Sequence, residues 1–321
     1  MKVLVSGGAG FIGSHLCERL ILDGHDVTVI DNFSTGTPSN LSHLLGLSGF
    51  SLVEGSILDS SVLAPLIIDA DYVFHLAAAV GVFNIINNPL GSLLTNIRGT
   101  ENVLEAAHST KTPVFLTSSS EVYGKNISDA LKETDDRILG SPATLRWSYS
   151  EAKAIDESLA YAYFVEEQLE TRIVRFFNTV GPRQLGAYGM VVPRFVKAAL
   201  AHEPITIYGD GKQTRCFAHV YDVIEAVTAV AFADNTIGKI INIGNNMEIS
   251  IHELAQKIIA ETSSKSEIIF VPYDVAYGEG FEDMERRVPN IDLINELVGW
   301  KPRRDLSRII ADISEEMKKS S

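Results

Sequence analysis

The sequence predicts an α/β fold, a doubly wound parallel sheet followed by a smaller C-terminal lobe. Three observations carry that expectation. Residues 1–31 read as strand, glycine loop, helix, strand and acid. Strand-like and helical stretches then alternate as far as Phe176, and beyond Gly181 the alternation loosens into Gly- and Pro-rich loops between shorter elements.

In the first unit the apolar run Val3-Leu4-Val5 breaks into Gly7-Gly8-Ala9-Gly10-Phe11-Ile12-Gly13. Glycines at Gly7, Gly10 and Gly13 permit a tight turn, let the backbone approach a pyrophosphate and bring the following helix close to the strand. The helix start supplies free N–H groups and positive dipole. The helix spans Ser14 to Leu22, turns at Asp23-Gly24 and gives way to a second strand, Val27 to Asp31. Asp31 at that strand end suits the adenosine ribose hydroxyls and repels a 2′-phosphate, which predicts NAD over NADP.

The polar segment from Asn32 to Asn40 passes the adenosine end as a loop. A strand at Ser51 to Glu54, a helix near Ser60 to Ile67 and a fourth strand at Asp71 to Leu76 follow, and Ala77-Ala78-Ala79 suits close backbone passage beside a cofactor. Pro89 to His108 reads as a long helix with Leu93, Leu94, Ile97, Val103, Leu104 and Ala107 on its apolar side. Then come a strand at Pro113 to Thr117, a long helix at Leu145 to Leu169 and a strand at Thr171 to Phe176. The later part reads as helices near Val191 to Ala201, Val220 to Ala233 and Ile251 to Thr262, with strands near Ile205 to Tyr208, Lys239 to Ile243 and Glu267 to Val271. Glu315 to Ser321 is expected to fray.

Composition narrows the function. The 321 residues are 45% hydrophobic and 21% charged, with a formal net charge of −14 and no basic stretch. Nothing would neutralise a nucleic-acid backbone, so no nucleic-acid partner is expected. Only two cysteines occur, Cys17 and Cys216, at a spacing that suggests no metal site and a reducing, cytoplasmic setting. The first strand begins at once, leaving no room for a signal peptide, and no apolar run reaches membrane-spanning length.

Chemistry is expected at the carboxyl end of the fifth strand, where Thr117-Ser118-Ser119-Ser120-Glu121-Val122-Tyr123-Gly124 combines hydroxyls with a carboxylate. In Arg146-Trp147-Ser148-Tyr149-Ser150-Glu151-Ala152-Lys153, Tyr149 and Lys153 share one helix face. A tyrosine with a pKa of ~10 needs a nearby cation to act as a base, and Lys153 supplies one while reaching the nicotinamide ribose.

With these motifs assembled, nearly the whole chain resembles the extended short-chain dehydrogenase/reductases that modify nucleotide sugars, an epimerase/dehydratase family with a Rossmann domain. Arg175 to Arg183, Tyr208-Gly209-Asp210-Gly211 and Thr214-Arg215-Cys216-Phe217 add to the likeness. The resemblance implies that Tyr149 takes the sugar 4-hydroxyl proton as hydride passes to NAD, with Ser119 or Ser120 sharing the hydrogen bond. It implies a 4-keto intermediate, and assigns Ser56, Ile57, Leu76, Ala77, Ala78 and Asn96 to the cofactor. Relatives often carry Asp-Ile at Ser56-Ile57. Val80, Asn178, Val192, Tyr208 and Arg215 fall to the nucleotide sugar.

Glu121 beside Ser120 resembles the catalytic Ser-Glu of UDP-glucuronate decarboxylases, whereas the Asp-Glu pair of dTDP-glucose 4,6-dehydratases is absent. A decarboxylase needs such an acid/base, and Arg146 and Arg287 would bind a uronate carboxylate. The run Tyr277 to Asp283 leading to Arg287 resembles the same branch. The expected function is therefore NAD-dependent conversion of UDP-glucuronate through a 4-keto intermediate, with decarboxylation to a UDP-pentose ahead of 4-epimerisation of a UDP-uronate or UDP-hexose. An inactive NAD-binding regulator is the alternative of another class. Residues 1–180, with contributions from about 218–245, are expected to bind NAD, and 181–321 the nucleotide sugar. As in relatives, the two long helices are expected to build a four-helix bundle in a homodimer, with Tyr161, Phe164 and Val165 at the seam.

Overall fold

The computed structural model describes residues 1–319 except 82–84, 86, 187–189, 273–274, 277–283 and 285. In chain order the first half comprises β1 (Lys2–Ser6), α1 (Phe11–Leu22), β2 (Asp26–Asp31), β3 (Phe50–Glu54), α2 (Ser60–Ile68), β4 (Tyr72–His75), α3 (Pro89–Thr110), β5 (Val114–Ser119), α4 (Ser148–Glu167) and β6 (Thr171–Phe176). There follow β7 (Thr179–Val180), α5 (Val191–Leu200), β8 (Ile205–Tyr208), β9 (Thr214–Cys216), β10 (Ala218–His219), α6 (Val220–Ala231), β11 (Ile240–Ile243), β12 (Glu248–Ser250), α7 (Ile251–Glu261), β13 (Ile268–Val271), α8 (Asp292–Val298) and α9 (Leu306–Lys319).

Seven strands form one sheet in the order β11-β6-β5-β4-β1-β2-β3, and every pairing in it is parallel. Its inner strands are apolar without alternation because both faces are covered. Leu16, Val29, Phe115 and Val227 belong to one core, with α1 and α6. Leu4, Leu63, Val103, Leu104, Leu116 and Ile173 belong to the other, with α2, α3 and α4. From β1 the chain winds outward through β2 to β3, then crosses back to β4 on the other side of β1. At that reversal the loops leaving β1 and β4 diverge and open a crevice.

A separate core, built from Phe195, Val196, Ile207, Leu254, Ile258, Ile309, Ile310 and Ile313, joins α5, β8, α7 and α9. Helix α7 starts at a capping box, in which Ser250 Oγ accepts from Glu253 N at 3.1 Å and the Glu253 carboxylate accepts from Ser250 N at 3.0 Å.

Several boundaries differ from expectation. The helix expected over Leu145 to Leu169 begins as a 3₁₀ turn at Leu145–Trp147 before α4. Helices α8 and α9 are not among the expected elements, and the expected fraying from Glu315 is corrected as far as Lys319. There Ile309, Ile310 and Ile313 bury one face of α9, and Lys319 Nζ donates to Glu315 at 2.7 Å. Residues 320–321 lie outside the described residues. The strand read near Lys239 to Ile243 spans Ile240–Ile243, β11, and is the edge strand of the main sheet beside β6.

Candidate active site

A continuous cavity of about 510 Å³ runs along the carboxyl edge of the sheet. At its floor Gly7 has φ +75°, and a Cβ there would come within 2.7 Å of the Ala77 nitrogen. A Cβ on Gly13 would stand 2.2 Å from the Gly7 carbonyl oxygen. The loop, the extension of β4 and the start of α1 are therefore packed to contact. Gly7, Gly10, Phe11, Ile12 and Gly13 line the cavity, and the first N–H groups of α1 have no partners inside the helix.

Asp31 ends β2 at the same wall. Its Oδ2 accepts from Ala9 N at 2.9 Å and its Oδ1 from Phe33 N at 2.8 Å. Burial pushes the carboxyl above its ordinary range, and the two N–H groups partly oppose that. The acid thus ties down the glycine loop while each oxygen keeps a second lone pair for a ribose hydroxyl. Asn32, Ile57, Leu76, Ala77 and Ala78 complete this end. Side-chain-free floor, helix terminus and carboxylate together fit NAD.

Two residues assigned to the cofactor do not line the cavity. Ser56 turns its hydroxyl to the Leu58 N–H at 3.2 Å. Asn96 is buried and brackets Ala79, accepting from its N–H at 2.7 Å and donating to its carbonyl at 3.2 Å. Asn96 therefore shapes the wall from behind.

Ser119 ends β5, Ser120 and Glu121 follow it, Tyr149 and Lys153 rise from α4, and all five line the cavity. Burial pushes the Tyr149 phenol up, Glu121 and Asp156 add to this with their charge, and the Ser119 hydroxyl opposes it. Lys153 Nζ donates to Asp156 Oδ2 at 3.1 Å. The two residues are three apart, a spacing that puts them on one helix face, so Asp156 is legible in the sequence although it is absent from the residues expected there.

Glu121 is held between two guanidinium groups. Arg146 Nη1 donates to its Oε2 at 2.7 Å, and Arg287 Nη1 to its Oε1 at 2.5 Å. Burial alone would push this carboxyl up, but the two arginines overturn that and hold it far below the usual carboxylate range. With one anion against two cations, the cluster keeps a net positive charge beside Tyr149.

Asn178, Val80, Tyr208 and Arg215 also line the cavity. Asn178 accepts from Arg287 Nη2 at 3.2 Å and donates to the Cys216 carbonyl at 3.1 Å. Val192 does not line it: the side chain is fully buried in the second core, and Val191 takes the wall position. Arg183, Arg194 and Gln213 line it without having been assigned roles, and the Arg194 guanidinium lies 4.2 Å from the Tyr208 ring centroid. The run Tyr277 to Asp283 lies outside the described residues. Among the described residues no group of three or more His, Cys, Asp or Glu is placed to hold a metal ion, and no helix is long and apolar enough to cross a membrane.

Fold and site together define a dinucleotide-dependent α/β enzyme whose Tyr–Lys pair faces a long cleft. The chain belongs to the NAD dependent epimerase/dehydratase family, whose profile matches residues 3–244. It is 42% identical over 302 residues to the UDP-N-acetyl-alpha-D-glucosaminuronate decarboxylase of Bacillus cytotoxicus, covering 94% of this chain and 92% of that one. It is 38% identical over 303 residues to UDP-glucuronic acid decarboxylase 1 of Danio rerio, covering 94% and 69%. The crystal structure of UDP-glucuronic acid 4-epimerase from Bacillus cereus with UDP-glucuronic acid and NAD superposes with a TM-score of 0.90 at 30% identity, covering 100% of both chains.

Proposed function

We propose that this cavity converts a UDP-hexuronate through a 4-keto intermediate and that the outcome is decarboxylation to a UDP-pentose. The observation that carries the reading is the Arg146–Glu121–Arg287 cluster beside Tyr149, a cationic pocket that a neutral hexose does not require. The names of the relatives at 42% and 38% identity support it.

In this reading Tyr149 takes the 4-hydroxyl proton, Ser119 shares that hydrogen bond, and Lys153 stabilises the phenolate and reaches the nicotinamide ribose. NAD, when bound, would supply the hydride acceptor for carbon 4 and the hydride for its later reduction. Once carbon 4 is a ketone, the carboxylate on carbon 5 is that of a β-keto acid. Breaking the C5–C6 bond sends its electron pair toward the ketone oxygen and releases carbon dioxide. Arg146 and Arg287 orient that carboxylate, and its arrival offers both arginines a second anion. The proton that replaces the carboxyl group on carbon 5 comes from solvent, and Glu121, a carboxylate loosened from the arginines and flanked by Ser120, takes it up and passes it to carbon 5. Asn178 and Arg215 meet the diphosphate, where an arginine gives charge-assisted pairing, and Tyr208 lines the nucleotide-sugar end of the cavity.

The sheet half, residues 1–180 with about 218–245, takes NAD in this reading, and 181–321 takes the nucleotide sugar. A homodimer through a four-helix bundle of α3 and α4 belongs to the same proposal: these helices pack on each other, and Tyr161 and Val165 stay 47% and 58% exposed. Phe164 fits it less, because its ring packs on Gly238. Two buried free cysteines suit a cytoplasmic setting.

A second reading, 4-epimerisation of the same uronate, uses the same Tyr149 and Lys153 and is favoured by the likeness to the 4-epimerase structure. The purified protein is to be incubated with NAD and either UDP-glucuronate or UDP-N-acetylglucosaminuronate, with the sugar followed by mass spectrometry and proton NMR. Loss of carbon dioxide from either supports the proposal. Unchanged mass with a new galacto-configured anomeric signal makes the enzyme a 4-epimerase, and no change in either substrate overturns both readings.

A further inference from the structure

Behind the cavity wall lies a line of buried polar groups of which the reaction above uses only Lys153. Lys153 and Asp156 are 2% and 0% exposed, and their contact is the 3.1 Å hydrogen bond from Nζ to Oδ2. The other carboxylate oxygen, Asp156 Oδ1, is buried without a hydrogen-bond partner. On β4, His75 contacts the Thr100 hydroxyl of α3 at 3.1 Å and Ser6 Oγ at 2.7 Å. Burial and the Lys153 charge push its imidazole down to about 3, so the ring is neutral. The neighbouring carboxylate on α4, Glu157, is already used by Arg175, at 2.9 and 2.8 Å, and by the Ser118 hydroxyl at 2.6 Å.

A buried ion pair is expensive to desolvate and adds little stability over a well-packed apolar pair. This one is placed where its charge matters, since in the reading proposed above Lys153 is the cation that serves the phenol of Tyr149, and both line the cavity. We propose that Asp156 is a positioning residue for the Tyr149–Lys153 pair: its carboxylate anchors the Lys153 ammonium at the cavity wall and sets how much of that positive charge Tyr149 feels. This rests on the reading of Tyr149 as the base. Among the described residues the charged groups acting on the phenol are Asp156 on α4 and Glu121 after β5, itself tied to Arg146 and Arg287, while Lys153 lies four residues on along the same helix face. Among them Asp156 and Glu121 both oppose phenolate formation.

Two substitutions separate anchoring from charge. Asp156→Asn keeps an acceptor for Lys153 and removes the charge, so Tyr149 ionises more readily and the acid limb of the kcat profile moves down by about one pH unit. Asp156→Leu removes the anchor as well, and NAD affinity measured by calorimetry falls about tenfold, the scale of one lost charge-assisted contact. The phenolate transition of the unliganded protein, followed by ultraviolet difference titration against Tyr149→Phe, moves down with the kcat limb in Asp156→Asn. Thermal unfolding checks the fold, and Asp156→Asn alone decides the matter if Asp156→Leu does not fold. A lower unfolding temperature with the acid limb and the phenolate transition unmoved would show Asp156 to be structural and overturn the inference. If Tyr149→Phe instead keeps full turnover, the base assignment itself fails and the inference falls with it.

Discussion

Arg287 Nη1 and Glu121 Oε1 meet at 2.5 Å although 166 residues separate them in the chain. One guanidinium from near the C-terminus thereby closes a site whose other groups follow β5 and start α4. If its task is to receive a uronate carboxylate, Arg287→Ala lowers kcat/KM for the uronate about a hundredfold, as for removal of one partner of a hydrogen-bonded charge pair. Thermal unfolding should shift little, because Arg146 still holds Glu121. Steady-state kinetics read the first quantity and scanning calorimetry the second.

Tyr149→Phe removes one oxygen from the cavity wall and leaves the ring. The expected result is a loss of about a thousandfold in kcat, within the range for a general base, with NAD affinity nearly unchanged. Single-turnover absorbance of reduced cofactor on mixing with substrate measures the step directly.

Acid stability gives a third check. The Glu121 carboxyl sits far below its unfolded value, because Arg146 and Arg287 outweigh burial, and Glu18 is lowered to about 2, because His15 and Arg183 do the same. A group lowered in the folded state stabilises fully above its unfolded value, about 4.3 for Glu, and loses that contribution as pH falls toward the folded value. Urea midpoints therefore begin to fall below about 6.5, where the unfolded chain protonates His75 and the folded one does not, and fall more steeply below about 4.3 as the two carboxylates lose their contribution. Glu121→Gln lowers the neutral midpoint and flattens the fall.

Gly13→Ala tests the cofactor floor. With a Cβ 2.2 Å from the Gly7 oxygen, the loop must shift, at about 1–3 kcal/mol for overpacking. NAD affinity by calorimetry should fall by more than tenfold, since the N–H groups of α1 move with the loop.

For the dimer, Val165→Glu places a charge at a helix position that is 58% exposed in the single chain. Light scattering at micromolar concentration should give twice the chain mass for the parent protein and the chain mass for the variant. A monomeric parent removes the four-helix bundle.

The glycine loop, the six strands to Phe176 and the Tyr149–Lys153 pair were legible because their signals are local: period, turn residues and helix spacing. The clamp on Glu121 was read only as separate candidates, since nothing in the sequence states that Arg146 and Arg287 share one carboxylate. Ser56 and Asn96 turned out to serve neighbouring backbone, a use that any polar residue near a strand end can have. Helix α9 was missed although Ile309, Ile310 and Ile313 repeat at helical spacing. Its apolar stripe has no meaning until α5 and α7 are there to receive it.

The pairing of Ile240–Ile243 with β6 also bears on synthesis. A ribosome that has released residues 1–180 has exposed six of the seven strands, yet β6 then presents an open row of amide and carbonyl groups to any other chain nearby. That edge stays uncovered until some sixty further residues emerge, a delay of several seconds at ordinary elongation rates of about 5–20 residues per second. The nascent sheet thus passes through an interval in which chaperone capture and aggregation compete for one strand edge, and a chain cut before Ile240 would never leave it.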